Sequence, residues 1–221
     1  MDHALLFITP TYAEYAAVRA AVADRLAGGT LRLALCGIGP ARALALSRRL
    51  ERSGWTGTLA LLGWAGGLSP HLAAGDLVVA DAALDGGGQR VPLLPPDLPG
   101  ATVGPLLSAP ALLLTAQAKR DARSSGALAV EMEAYPLAAW AAARNLPFVH
   151  ARIILDTASD ALPDLGDALD VLGRVRPARL IRRLLGRPRT ALSLLALARR
   201  VRELEPALQA LARALAARGP Q

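Results

Sequence analysis

Short apolar runs without a polar face alternate with helical segments through the first 160 residues of this chain. That pattern restricts it to an α/β fold. The runs are "ALLFIT" (4–9), "LRLALCGIG" (31–39), "TLALLGWAGGL" (58–68), "GDLVVADAAL" (75–84), "VGPLLSA" (103–109), "ALAVEME" (127–133) and "PFVHARIILDTAS" (147–159). A strand that is apolar on both sides must be covered on both sides. The expected architecture is therefore a mostly parallel or mixed central sheet flanked by helices on both faces. Helical periodicity marks residues 13–27 with Thr11 as cap, 40–54 with Pro40 in the first turn and Gly54 as the stop, 111–126, and 134–146. Residues 85–105, rich in Gly and Pro, read as loop.

Beyond residue 160 the chain turns to Leu, Ala and Arg. Leu194, Leu197, Val201, Leu204, Leu208, Leu211 and Leu215 form an amphipathic stripe, which Pro206 is expected to interrupt. No linker-like stretch divides the 221 residues, and 53 % are apolar, enough for one core. The reading is one domain, 1–221, in which 161–221 form a basic helical C-terminal part.

Ligands of open α/β sheets bind at the carboxyl ends of the strands. This rule places "CGIG", "GWAGG", "EME" and "LDTAS" at one rim. Of the carboxylates Glu14, Glu131, Glu133 and Asp156, several are expected to converge on that rim. Buried against apolar walls, they would have raised pKa values and could exchange protons near neutral pH. Placed before helices, they would be caps. Position alone leaves both readings open. Other chemistries find less support. "CGIGPAR" has Arg42 where the dinucleotide fingerprint needs its third glycine, and there is no P-loop. His3, His71 and His150 are isolated, and the single Cys36 rules out an internal disulfide or a multi-cysteine metal site.

The formal charge of +7 peaks at residues 173–189, "GRVRPARLIRRLLGRPR". Nucleic acid is not the expected partner, because no binding motif appears and aromatic residues are only 4 % of the chain. A solvated face, a membrane surface and an anionic substrate remain open. The N-terminus lacks a basic n-region, and the uncharged stretches 56–75 and 99–118 are broken by Gly and Pro. A cytoplasmic protein is expected.

Four motifs in order, "CGIGPARA", "GWAGGLSPHLAAGDLVVAD", "ALAVEMEA" and "PFVHARIILDTASD", resemble the nucleoside phosphorylase and nucleosidase superfamily over residues 4–160. Within it, residues 113–163 and the Arg/Leu-rich tail look most like hopanoid-associated phosphorylases, which are associated with removing adenine from adenosylhopane. Methylthioadenosine/S-adenosylhomocysteine nucleosidases and futalosine hydrolases are related alternatives. The resemblance implies cleavage of a purine N-riboside, with no metal or organic cofactor and with a homodimeric assembly.

Residue by residue, the resemblance gives Glu133 to the ribose hydroxyls, Met132 to the sugar face, and the backbone of Ala65 and Gly66 to the pocket lining. Asp156 would protonate the departing purine, and Glu14 would activate the attacking water. Arg152 would hold Glu133 or the rim in place from behind, and Glu131 would be structural. If the substrate is lipid-linked, residues 174–189 would contact a membrane. The chain also departs from the pattern. Leu155 replaces the serine before the aspartate, and Trp64 stands where relatives carry a small polar residue. No arginine lies in "ITPTYAEY" or "LALLGWAGG" to hold phosphate, although Arg42 could substitute. Water is therefore the expected nucleophile and phosphate the alternative co-substrate. An inactive nucleoside- or lipid-binding relative is the reading from another class.

Overall fold

A computed structural model describes residues 4–185 and 187–218. His3, and Gly186 of the basic stretch, lie outside the described residues, as do both termini. Eight strands form the sheet: β1 (Leu5–Thr9), β2 (Leu31–Leu35), β3 (Thr58–Gly67), β4 (Leu77–Asp85), β5 (Arg90–Pro92), β6 (Thr102–Ser108), β7 (Ala129–Glu131) and β8 (Phe148–Asp156). The helices are α1 (Tyr12–Ala21), α2 (Ala23–Ala27), α3 (Pro40–Arg52), α4 (Ala116–Ala122), α5 (Ala134–Ala142), α6 (Pro177–Leu184) and α7 (Pro188–Arg218).

The ten-residue β3 organises the sheet. Its first half pairs in parallel with β1, and β2 lies beyond. Its other edge pairs in parallel with β8. Its end, Gly66 and Gly67, pairs antiparallel with β7. Because β8 also pairs with β4, β4 with β6, and β6 with β7, the five strands β3, β8, β4, β6 and β7 close into a ring. The structure is thus a mixed sheet with a closed half. Two antiparallel joints, β3–β7 and β4–β8, allow the closure.

Alternate residues of β3 serve opposite sides. Ala60, Leu62 and Trp64 face a core shared with α1 and α7, through Val18, Leu208, Leu211 and Leu215. Leu59 and Leu61 face α3 and α5, through Ala43, Leu46, Leu137 and Ala138. This is the two-sided burial that the apolar runs required.

Several boundaries differ from the sequence expectations. The helix expected over 13–27 breaks at Val22, whose φ of −124° leaves the helical region while its side chain joins the core. The helix expected over 111–126 starts only at Ala116, where Thr115 accepts the N–H of Ala118 (3.1 Å) as a cap, and ends in a 3₁₀ turn at 123–125. The loop at 85–105 contains β5, folded back on β4 by Asp85, whose carboxylate accepts the N–H groups of Gly87 and Gln89. Residues 161–176 are largely irregular rather than helical.

Pro206 does not interrupt the C-terminal helix, which runs continuously from 188 to 218. An interior proline costs about 3 kcal/mol. Leu208, Leu211 and Leu215 are each at most 5 % exposed, and their burial returns roughly 1.5–3 kcal/mol apiece. Burial wins over the missing N–H, so the stripe stays on one helix.

Candidate active site

The site is assembled on the carboxyl end of β3. Glu14 reaches it from the first turn of α1, where it is both buried and part of a cap. It is the third residue of a capping box: its Oε2 accepts the N–H of Thr11 (2.7 Å), and its own N–H donates to Thr11 Oγ1 (3.3 Å). Its Oε1 accepts the N–H of Trp64 on β3 (2.7 Å). The carboxylate is 2 % exposed. Gly63 is required beside it, because a Cβ there would run into Glu14 Oε1 and the Arg152 guanidinium.

Glu131 ends β7, and its side chain folds back to receive the N–H groups of Glu133 (2.9 Å) and Ala134 (2.9 Å). This turns the chain into α5. "ALAVEME" is therefore a strand only to Glu131, and Met132 and Glu133 form the corner. Ser108 also donates to Glu131. The Glu133 carboxylate is 3 % exposed and accepts the N–H of Gly39 (2.7 Å), 94 residues earlier, from the "CGIG" corner.

One guanidinium joins these groups. Arg152, on β8, is fully buried. It donates to Glu131 Oε2 (2.6 Å), Glu133 Oε2 (3.4 Å), the carbonyl of Trp64 (3.4 Å) and His150 Nε2 (3.0 Å), and it lies 4.0 Å from Glu14. Three carboxylates thus share one cation. Burial raises the Glu14 carboxyl above its ordinary value, and Arg152 offsets only part of this. Glu131 is held below the usual range: burial pushes it up, but Arg152 and the hydrogen bonds around it prevail. Glu133 is pushed up to about 8 by burial and by the charge of Glu131. His150 is driven down to about 3 by burial, so it is a neutral acceptor for Arg152.

The raised Glu133 has a consequence for stability. Between pH 4.5 and about 8 the native protein holds a proton here that the unfolded chain has released. The stabilisation is full below pH 4.5 and is lost as pH rises through about 8. His150 acts in the opposite sense only below its ordinary value of 6.5. Thermal midpoints measured from pH 6.5 upward are expected to fall, and Glu133→Gln is expected to flatten that fall. An equal slope in the variant would contradict the assignment.

Asp156 lies at the other side of the β3 end. Its Oδ2 would sit 3.1 Å from a Cβ at Gly66, and Gly66 also backs onto Val130 of β7. Glu14 meets β3 at Trp64 and Asp156 meets it at Gly66, so two residues of one strand separate their anchor points, about 7 Å along the backbone. The partner that Leu155 cannot supply is Lys119, from α4. This lysine is 1 % exposed, and its ammonium donates to Asp156, to the carbonyl of Thr157 (2.7 Å) and to that of Asp160 (3.0 Å). All three of its donors are used. Burial raises the Asp156 carboxyl above its ordinary value, and Lys119 restrains the rise.

The remaining expected residues line the same end. Ala65 and Gly66 follow Trp64 on β3. Met132 is half-buried, and its methyl group faces Gly39, 3.6 Å from where a Cβ would stand. The Trp64 side chain packs into the α1/α7 core, so it is the backbone of this residue that serves the rim. Arg42 is exposed on α3, with its stem beside Gly37. A short strap, residues 170–175, crosses the rim: Ile38 donates to Val171 (2.8 Å) and Tyr12 to Leu172 (2.8 Å). Among the described residues no three His, Cys, Asp or Glu side chains are grouped to hold a metal ion; the glutamates are spent on Arg152 and on backbone N–H groups.

Three residues of this site were not expected from the sequence. Ser108 and His150 carry no local signal. Lys119 carries one, being the only lysine in a chain that otherwise uses arginine.

The geometry can be set beside known proteins. No curated protein matches the chain in sequence. Solved structures match in fold. A methylthioadenosine/S-adenosylhomocysteine nucleosidase from Colwellia psychrerythraea, in complex with adenine, superposes with a TM-score of 0.59 at 20 % identity, covering 72 % of this chain and 84 % of that one. The corresponding nucleosidase of Helicobacter pylori gives 0.60 at 15 %, over 71 % and 86 %. Futalosine hydrolase of the same organism gives 0.57 at 16 %, over 72 % and 87 %. The sequence pattern of the Phosphorylase superfamily matches residues 6–113 and 101–185, a span that contains all four rim carboxylates and, apart from Leu5 of β1, every strand described. With its sequence pattern and its fold in agreement, the chain belongs to the Phosphorylase superfamily.

Proposed function

We propose that this protein cleaves the N-glycosidic bond of a purine nucleoside, with water as the nucleophile. The observation that carries the reading is the convergence of Glu14, Glu133 and Asp156, all buried, on the carboxyl end of β3. Departure of the base leaves positive charge on the ribose and negative charge on the purine. Asp156 delivers a proton to the purine nitrogen, and the Lys119 ammonium stabilises the carboxylate that remains. Glu14 takes a proton from water as it attacks the anomeric carbon. Glu133 grips the ribose hydroxyls and, once ionised, favours the cationic transition state. The Met132 side chain and the Ala65–Gly66 backbone complete the sugar and base walls.

Charge supports water over phosphate. Among the described residues Arg152 is the one buried guanidinium at this rim, and it faces three carboxyl groups. A phosphate dianion would find that guanidinium already engaged by Glu131, Glu133 and the Trp64 carbonyl. Arg42 is the cation that would have to serve phosphorolysis, and it stands exposed at the Gly37 corner.

Two of the similar solved structures are methylthioadenosine/S-adenosylhomocysteine nucleosidases and the third is a futalosine hydrolase; one of the nucleosidases holds adenine. Adenine is accordingly the proposed leaving base. The finer proposal is an adenosine with a lipid at its 5′ position, as the resemblance to hopanoid-associated phosphorylases implies. A homodimer is proposed on the same basis. Purified protein incubated with adenosine and 5′-methylthioadenosine, with and without phosphate, is expected to release free adenine in both conditions. Release only with phosphate would establish phosphorolysis, and no release from any nucleoside would favour a binding relative.

A further inference from the structure

Residues 171–202 contain ten arginines and no aspartate, glutamate or aromatic residue. Several of these arginines have partners: Arg183 pairs with Asp164, Arg199 with Glu203 (2.6 Å) and Arg200 with Asp160 (2.7 Å), and Arg174 lies over the Tyr12 ring. A surplus remains even so. Residues 160–203, counted with every flanking carboxylate, carry a net +5.

The same segment exposes aliphatic side chains. Ile181 is 61 % exposed, Leu185 71 %, Leu192 67 % and Leu195 66 %. Ile181 and Leu185 are four residues apart on α6 and its end, and Leu192 and Leu195 are three apart on α7. Each pair therefore shares a face. From Thr190 to Glu203 no residue of α7 is buried, whereas the second half of the helix packs into the core through Leu208, Leu211 and Leu215. The first half of α7 and the adjoining α6 thus present leucine and isoleucine among arginines, with nothing among the described residues covering them.

We propose that α6 and the first half of α7 form a docking surface for anionic lipid bilayers. The charge selects among the occupants. A second copy on a twofold axis would set this positive surface against itself. Nucleic acid would neutralise the arginines but would leave the aliphatic side chains without a role, and no aromatic residue is present to stack on bases. An anionic membrane accepts both, with arginines at the headgroups and aliphatic side chains in the interfacial region. This inference is independent of the reaction proposed above.

Flotation of the full chain with vesicles tests it. Binding is expected to vesicles of phosphatidylcholine mixed with phosphatidylglycerol, but not to phosphatidylcholine alone, and to weaken with added salt. The double variant Leu192→Ser/Leu195→Ser is expected to lose about tenfold in vesicle affinity with an unchanged thermal midpoint, since both side chains are in water. The triple variant Arg176→Gln/Arg187→Gln/Arg202→Gln is expected to lose at least as much. The proposal is overturned by absence of binding to anionic vesicles, by equal binding to neutral ones, or by full binding in both variants. It is also overturned if duplex DNA displaces the protein from vesicles at lower concentration, or if Leu192→Ser/Leu195→Ser converts a dimer to monomer, which would identify a second copy as the occupant.

Discussion

Replacing Arg152 with methionine is expected to destabilise the protein by about 3–5 kcal/mol, the usual result of removing one partner from a buried ion pair. For a chain of this size the thermal midpoint should drop on the order of 10 °C. The reason is geometric. Glu131 and Glu133 meet Arg152 through one nitrogen, Glu14 lies 4.0 Å from another, and none of the three glutamates is more than 6 % exposed. Without the guanidinium, two or three carboxyl groups face one another while almost wholly withdrawn from solvent. They would answer by taking up protons, so the loss should be smaller in acid than at neutral pH. A second variant separates this account from simple loss of packing. Arg152→Met combined with Glu131→Gln removes the deepest charge together with its partner, and it is expected to recover part of the loss. If the double variant is no more stable than the single one, electrostatics is not the cause.

The second large effect concerns the base. Asp156→Asn is expected to lower kcat/KM about 10²- to 10⁴-fold, the range for removal of a general acid, while leaving the fold intact. Asparagine keeps the shape of the side chain and can still meet the Lys119 ammonium through its carbonyl oxygen. Lys119→Met tests the neighbour. Lys119 stabilises the ionised product of proton delivery, so its loss should weaken the acid and move the alkaline limb of the pH–rate profile upward. A lysine that only anchored the loop after β8 would change stability and leave the profile in place. Near-normal turnover in Asp156→Asn would remove the aspartate from the mechanism altogether.

Much of the fold can be read locally. Runs such as "ALLFIT" and "TLALLGWAGG" have no polar face, and a strand of that kind needs cover on both sides whatever its neighbours are. The α1/α7 and α3/α5 layers meet that need. At Pro206 and at the "EME" corner a tertiary contact overrides a local preference. Pro206 stays inside a helix because Leu208, Leu211 and Leu215 find a core made by β1 and β3. The "EME" corner bends because the Glu131 carboxylate captures the N–H groups of Glu133 and Ala134, and it is held there by Arg152 from a strand 21 residues later.

The sequence by itself determined a two-sided α/β sheet, the rim at which its strands end, and the identity of the acidic groups there. Those properties depend on periodicity and composition, which act over a few residues. Only the tertiary structure decided which charges compensate one another. Closure of β3, β8, β4, β6 and β7 into a ring brings Arg152 among three glutamates and carries Lys119 to Asp156. Buried charges must find partners wherever the backbone delivers them, and no spacing along the chain records that distance.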